Sequence, residues 1–265
     1  TRPQSLKSRK KCQCILTAKR INPFVFLSCK LGEMSDISNM RLPYRSTHDV
    51  FDVGDLVSRE PFKQFESWFS EACQCPEIGE ANAMALATAS KDGMPSVRMV
   101  LMKGYDKDGI VFYTNYNSRK AMELAENPRC TLMFYWEKFM RSVRIEGTVS
   151  KQSPEKSEEY FHSRPRPSQL GALASRQSQV VDSRKTLRDR YNTFEEQFKD
   201  EEIIIPKPDN WGGYVVTPLT FEFWQGQTNR LHDRIKFRKP QPDEKINEEV
   251  THIGEDGWVF ERLEP

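Results

Sequence analysis

The stretch Ala83-Met-Ala-Leu-Ala-Thr-Ala-Ser-Lys-Asp-Gly-Met-Pro-Ser-Val-Arg-Met-Val-Leu-Met-Lys103, continuing through Lys107-Asp-Gly109 into Ile110-Val-Phe-Tyr-Thr-Asn115, decides the fold. Ala83–Ser90 reads as a strand of small residues, Ser96–Lys103 as a second and Ile110–Asn115 as a third. Asp92-Gly93 and Asp108-Gly109 are tight-turn signals, because hairpin turns need positive φ and glycine supplies it without steric cost. Strands joined by such short turns run antiparallel. The two-residue period in the second strand puts Arg98 and Val100 on one face and Met99, Leu101 and Lys103 on the other.

Working outward, Ser58 or Glu60 opens a helix with Pro61 in its first turn, and Phe62, Phe65, Trp68, Phe69 and Ala72 form its apolar stripe. Arg119–Glu126 is a short helix ended by Asn127-Pro128. Cys130–Trp136 and Ser142–Lys151 are further strands, and Pro154–His162 is a helix capped by Ser153. Residues 163–178, rich in Arg, Pro, Ser and Gln, are expected to be irregular. A charged helix covers 183–198, and Pro206-Lys207-Pro208 breaks the chain. Strands at 211–217, 220–224, 232–238 and 258–263 finish the sheet, with 240–255 a polar loop. The expected class is α+β, mainly antiparallel β, as a sheet or barrel with flanking helices.

At 265 residues, with 37% apolar and 29% charged residues, the chain can bury a substantial core. A net charge of only +2 argues against a strongly basic nucleic-acid binder, and no apolar run approaches a membrane span. Cys12/Cys14 and Cys73/Cys75 are C-x-C pairs, not the C-x-x-C of a zinc knuckle, and no His lies close to them. No metal is expected, and reduced thiols in a cytoplasmic compartment are the default. Residues 1–32 are basic and hold no acid, like a transit-type leader. Residues 1–39 are expected to be a leader or a disordered tail, or sequence ahead of a start at Met34 or Met40, and organellar targeting stays open. Residues 40–265 are expected to form one domain.

Three clusters and one loop carry chemistry. Lys103 ends its strand, where it can reach a ligand or merely guard an edge. Ser118-Arg119-Lys120 opens a helix and suits a phosphate, although the same residues suit a capped helix with solvated charges. Tyr160 and Arg164 share a helix face, with Ser168, Gln177 and Ser178 following, and together could clamp a second phosphate. Trp224-Gln-Gly-Gln-Thr-Asn-Arg-Leu-His-Asp-Arg234 lies between two strands; it could stack a ring and exchange a proton, or be a polar hairpin with an anchoring Trp.

The runs Arg98-Met-Val-Leu-Met-Lys103, Phe112-Tyr-Thr-Asn115, Ser118-Arg-Lys120, Tyr160-Phe-His-Ser-Arg-Pro165, Gln177-Ser178, Trp211-Gly-Gly213, Glu222-Phe-Trp-Gln-Gly226 and Arg230-Leu-His-Asp-Arg234 resemble the pyridoxine/pyridoxamine 5'-phosphate oxidase family, from about Arg41 to Pro265. The resemblance implies an FMN-dependent split β-barrel, homodimeric, with flavin sites at the subunit interface. It implies oxidation of pyridoxine or pyridoxamine 5'-phosphate to pyridoxal 5'-phosphate, with O2 as acceptor giving peroxide. Carried over, Arg98, Met99, Val100, Leu101, Tyr113, Thr114, Arg119, Lys120, Gln177, Ser178, Trp224 and Arg234 would hold FMN. Lys103, Tyr160, Arg164 and Ser168 would clamp the substrate phosphate. Arg230, Leu231 and His232 would face the substrate ring, Arg230 and His232 as the catalytic pair, with Arg41, Tyr44 and Arg45 as a lid. Ser142 departs from the family's usual Gln at a flavin contact. The alternative is a non-catalytic flavin or pyridoxal-phosphate carrier on the same barrel.

Overall fold

In the computed structural model, Tyr44 and residues 49–265 are described. The expected leader 1–39 and the lid residues Arg41 and Arg45 lie outside the described residues. Ten antiparallel strands form the sheet: β1 Ala83–Ala89, β2 Pro95–Leu101, β3 Gly104–Asp106, β4 Gly109–Asn115, β5 Arg129–Trp136, β6 Arg141–Lys151, β7 Trp211–Gln225, β8 Asp233–Arg238, β9 Thr251–Ile253 and β10 Val259–Arg262. They run in the order β2-β1-β5-β6-β7-β8-β10-β9, with β4 on β7 and β3 on β4. The helices are α1 Pro61–Gln74, α2 Arg119–Glu126, α3 Pro154–Ser163, α4 Arg166–Ala174 and α5 Arg184–Gln197.

The branching of β7 explains the split in the sheet. From Tyr214 to Gln225 it pairs with β6 on one side, while its other edge serves β4 from Trp211 to Val216 and β8 from Thr220. Sequence periodicity breaks this strand at Pro218-Leu219, but the chain runs through. Glu146 faces Thr220 and Gly147 faces Pro218, so Leu219 is one extra residue in a bulge. Proline cannot donate to a ladder, and a bulge is where a strand tolerates that. Gly147 belongs here as well, because a Cβ would press on the Thr217 carbonyl oxygen.

α1 seals the barrel interior. Glu60 caps it by accepting the Phe62 and Lys63 N–H groups at 3.1 and 2.8 Å. Phe65, Trp68 and Ala72 face inward, and Phe65 packs against Phe134 at 5.1 Å between ring centres. Each such large side chain contributes about 1.5–3 kcal/mol by leaving water. A second core of Phe161, Leu170, Phe198, Ile205 and Trp211 backs α3 and α4.

Residues 163–178 are not irregular throughout: Arg166–Ala174 is α4. Pro165 and Pro167 fall at and just inside its start, where no N–H is missed, and Leu170 and Ala174 bury one face. β3 and β9 were not expected either, since three residues show no period. Among the described residues, no helix is long and apolar enough to cross a membrane.

Candidate functional site

Two separate clefts gather the candidate residues. The first, about 650 Å³, brings together Met99, Val100 and Leu101 from β2 with Lys103 from the link between β2 and β3, Tyr113 and Thr114 from β4, and Lys120 from α2. Its other wall is Tyr160, Arg164, Ser168 and Gln177. The second, about 520 Å³, holds Ser142, Trp224, His232 and Arg234, with Met133, Tyr135, Arg144, Glu222 and Pro265. No residue lines both.

In the first cleft, Lys120 is buried, its Nζ 3.2 Å from both Thr114 Oγ1 and Gln177 Oε1. Burial, helped by the nearby Arg98, pushes its pKa down to about 8. The start of α2 is closed by Ser178, which accepts the Arg119 N–H at 3.2 Å, whereas Ser118 makes no side-chain cap. Tyr113 and Tyr160 stack at 3.9 Å, and Trp211 continues the stack at 5.5 Å from Tyr113. The Arg164 guanidinium lies 4.7 Å over Trp211. Its Nη1 is buried and without a hydrogen-bond partner, and burial lowers its pKa. An orphaned cationic donor beside a buried ammonium and hydroxyls fits a phosphate.

Arg98 and Arg119 do not line this cleft. Arg98 donates to the Leu86 carbonyl at 3.0 Å and reaches Glu123 at 3.3 Å; Arg119 meets Glu123 at 2.8 Å. Burial alone would raise the Glu123 pKa, but Ser96, Thr88 and Arg119 donate to it and hold it at about 2. Glu123 thus organises the cations around Lys120. Its one signal in the sequence is the i,i+4 spacing from Arg119.

The second cleft is built on strand register. Tyr135, Ser142, Trp224 and Arg234 form one cross-strand row over β5, β6, β7 and β8, and Met133, Arg144 and Glu222 form the next. Glu222, buried, pairs with Arg144 and accepts Arg234 Nε at 2.9 Å. Burial raises its pKa, but these two cations outweigh that and lower it. Alternation with Trp224 could have marked Glu222 as facing the same cleft.

His232 lies 5.0 Å from Trp224, and Tyr44 packs edge-on against both. The Arg230 guanidinium sits 5.2 Å over Tyr44, on a backbone with φ of 69°. Leu231 is exposed and lines a neighbouring cavity. Gln227 N–H donates to His232 Nδ1 at 2.9 Å, so neutral His232 carries its proton on Nε2. Burial and the Arg230 charge lower its pKa, which favours the neutral ring.

Residues 71–198 match the family described as "Pyridoxamine 5'-phosphate oxidase", and 211–265 match "Pyridoxine 5'-phosphate oxidase C-terminal dimerisation region". A pyridoxine/pyridoxamine 5'-phosphate oxidase of Bombyx mori is 53% identical over 230 residues, 87% of this chain and 90% of that one. Among solved structures, PhzG of Burkholderia lata, in complex with tetrahydrophenazine-1-carboxylic acid, has a TM-score of 0.70 at 26% identity, covering 82% of this chain and 98% of its own. A pyridoxamine 5'-phosphate oxidase-related, FMN binding protein of Nostoc punctiforme has a TM-score of 0.57 at 14% identity over 78% of this chain and 98% of its own; that likeness is one of fold. With more than half its residues shared over nearly nine-tenths of its length, the chain belongs to the pyridoxine/pyridoxamine 5'-phosphate oxidase family.

Proposed function

We propose that this chain oxidises pyridoxine or pyridoxamine 5'-phosphate to pyridoxal 5'-phosphate with FMN as cofactor and O2 as electron acceptor. Two electrons and two protons leave the substrate and convert O2 to H2O2; with the amine, water then releases ammonia. The observation that carries the reading is the buried, unpartnered Arg164 Nη1 in a cleft shared with Lys103, Tyr160 and Ser168. When bound, FMN supplies the two-electron acceptor. Thr114, Lys120 and Gln177 would hold it in the first cleft, and Ser142, Trp224 and Arg234 in the second. Lys103 and Arg164 would fix the substrate phosphate, lowering the entropic barrier to reaction. Arg230 would cover the substrate ring, His232 would donate from Nε2, and Tyr44 would help exclude water.

Both clefts border one apolar outer face, which supports a homodimer with sites completed between copies. Val97 and Met99 on β2 are 68% and 65% exposed, and Met133 and Tyr135 on β5 are 38% and 56% exposed. Met99 lines the first cleft, and Met133 and Tyr135 line the second. A contiguous exposed apolar face is costly to leave in water. We place the catalytic unit in one domain, residues 40–265; Pro43–Pro265 clusters as one compact unit. Free thiols at Cys73, Cys75 and Cys130 fit a cytoplasmic compartment.

Anaerobic addition of each 5'-phosphate to the purified flavoprotein should bleach the bound flavin, and admitting oxygen should restore colour and release peroxide. A flavin that stays yellow with both compounds overturns the reading.

Two further outcomes are expected at the flavin site. Ser142→Gln should tighten FMN binding several-fold, because a longer amide reaches a contact that Ser must make through water, worth about 0.5–1.5 kcal/mol. Equal dissociation constants in a fluorescence titration would defeat this. The second concerns Lys120, whose folded pKa of about 8 lies below its ordinary 10.5. Burying its charge costs stability below about pH 8, and that cost fades as pH rises above it. Phosphate binding needs the charge, so apoprotein above pH 8 must take up a proton to bind FMN. Affinity should then fall by up to roughly ten-fold per pH unit above 8. In Lys120→Met the slope should vanish.

A further inference from the structure

We propose that Gln227 and Asp233 are positioning residues that hold the Asp49–Phe51 segment and the Arg230–His232 loop, on which Tyr44 packs, in one arrangement beside the second cleft. The inference rests on the reading of that cleft as the substrate-ring site. Asp233 stands between His232 and Arg234 in sequence, but alternation turns it inward, and it is 5% exposed. A carboxylate so buried is tolerated only with full partnership.

Its partners come from three separate parts of the chain. Oδ2 accepts the Phe51 N–H at 3.0 Å and the Gln227 Nε2 at 2.7 Å, and Oδ1 accepts Arg262 Nη1 at 3.0 Å. Gln227 extends the network in two directions. Its Nε2 also donates to the Asp49 carbonyl at 2.7 Å, which takes a further bond from Gln225 Nε2 at 2.9 Å. Its backbone N–H holds His232 Nδ1. Thr228 Oγ1 donates to the Tyr44 carbonyl at 3.2 Å.

Gln227 itself is 3% exposed, and its Oε1 has no partner. A buried amide that leaves its acceptor unsatisfied is a poor choice for stability alone. The orientation is kept because both Nε2 hydrogens are needed, one for Asp49 and one for Asp233. Neither residue lines the second cleft, so both act through what they hold.

The test uses the FMN-loaded enzyme. Gln227→Met keeps length and removes the side-chain donors; it should lower kcat/KM by on the order of ten- to a hundred-fold, since a misplacement of about 1 Å can be that expensive in rate. FMN affinity should move by less than about three-fold. Hydrogen exchange at the Phe51 amide should speed up in Asp233→Asn and in Gln227→Met. With Tyr44→Ala already present, Gln227→Met should cost little more, because both remove one arrangement; independent structural damage would multiply. Multiplying effects, or unchanged exchange at Phe51, would overturn the proposal. Should Asp233→Asn fail to fold, Gln227→Met, which buries no new charge, carries the same measurements. If Tyr44→Ala and His232→Ala leave turnover intact, the reading of the cleft fails. If they depress it and Gln227→Met does not, the positioning role alone fails.

Discussion

Arg164→Ala is expected to cost a hundred-fold or more in kcat/KM, mostly through KM, with FMN still bound. The reason is the state of its guanidinium before any ligand arrives. Nη1 is buried and unpartnered, and the group lies over Trp211, where water cannot compensate it. An unsatisfied buried donor costs about 1–3 kcal/mol, more when charged. A phosphate that meets it recovers this cost and adds a charge-assisted bond; truncating one side of such a pair typically loses 2–5 kcal/mol, or roughly thirty- to several-thousand-fold. The opposite effect follows for the ligand-free chain. Arg164→Met removes the orphaned charge and keeps the packing on Trp211, so the apoprotein should melt at an equal or higher temperature while activity falls. An increment of 1 kcal/mol is worth about 2–4 °C in a domain of this size. Steady-state kinetics with thermal melts of the apoprotein check both halves. If Arg164→Met destabilises and leaves KM unchanged, Arg164 is a structural residue and the phosphate clamp lies elsewhere.

Arg164 also marks the limit of what the sequence discloses. Its spacing from Tyr160 singles it out, but nothing local shows that Arg166, two residues on, is spent on the carbonyls of Phe198, Asp200 and Ile203 at 2.6, 2.9 and 3.0 Å. The difference depends on where the 198–205 turn passes, which no local pattern encodes. Arg98 is a similar case: strand alternation correctly separates it from Met99, but its engagement with Glu123 requires knowing that α2 packs behind β1. Hairpins at Asp92-Gly93 and Asp108-Gly109 were legible because their chemistry is local; Gly93 has a φ of 87°. β7 was not legible as one strand, since its continuity through Pro218 depends on a bulge opposite Gly147 in β6. The division of site residues between two clefts is likewise set by sheet order, and spacing along the chain carries no trace of it.

Arg230→Ala should lower kcat on the order of a hundred-fold while leaving FMN affinity nearly unchanged, and Arg230→Gly should do the same in a chain at least as stable as the parent. Arg230 holds φ at 69°, a left-handed conformation that a long side chain adopts at a cost of about 1 kcal/mol or more. Glycine at this position relieves that strain. The turn therefore prefers another residue, and retention of Arg needs a reason outside folding. The guanidinium supplies one: it is exposed and poised over Tyr44, beside a histidine whose proton is fixed on Nε2 by Gln227. A cation there can meet charge that develops on the substrate ring, and losing one such preorganised group costs ~10²–10³ in rate. Arg230→Lys keeps the charge but not the planar fork, so it should fall between the parent and Arg230→Ala. The comparison that decides is thermal stability against turnover across the three variants. An Arg230→Gly enzyme that is more stable and equally fast would show that the strained arginine does nothing for the reaction.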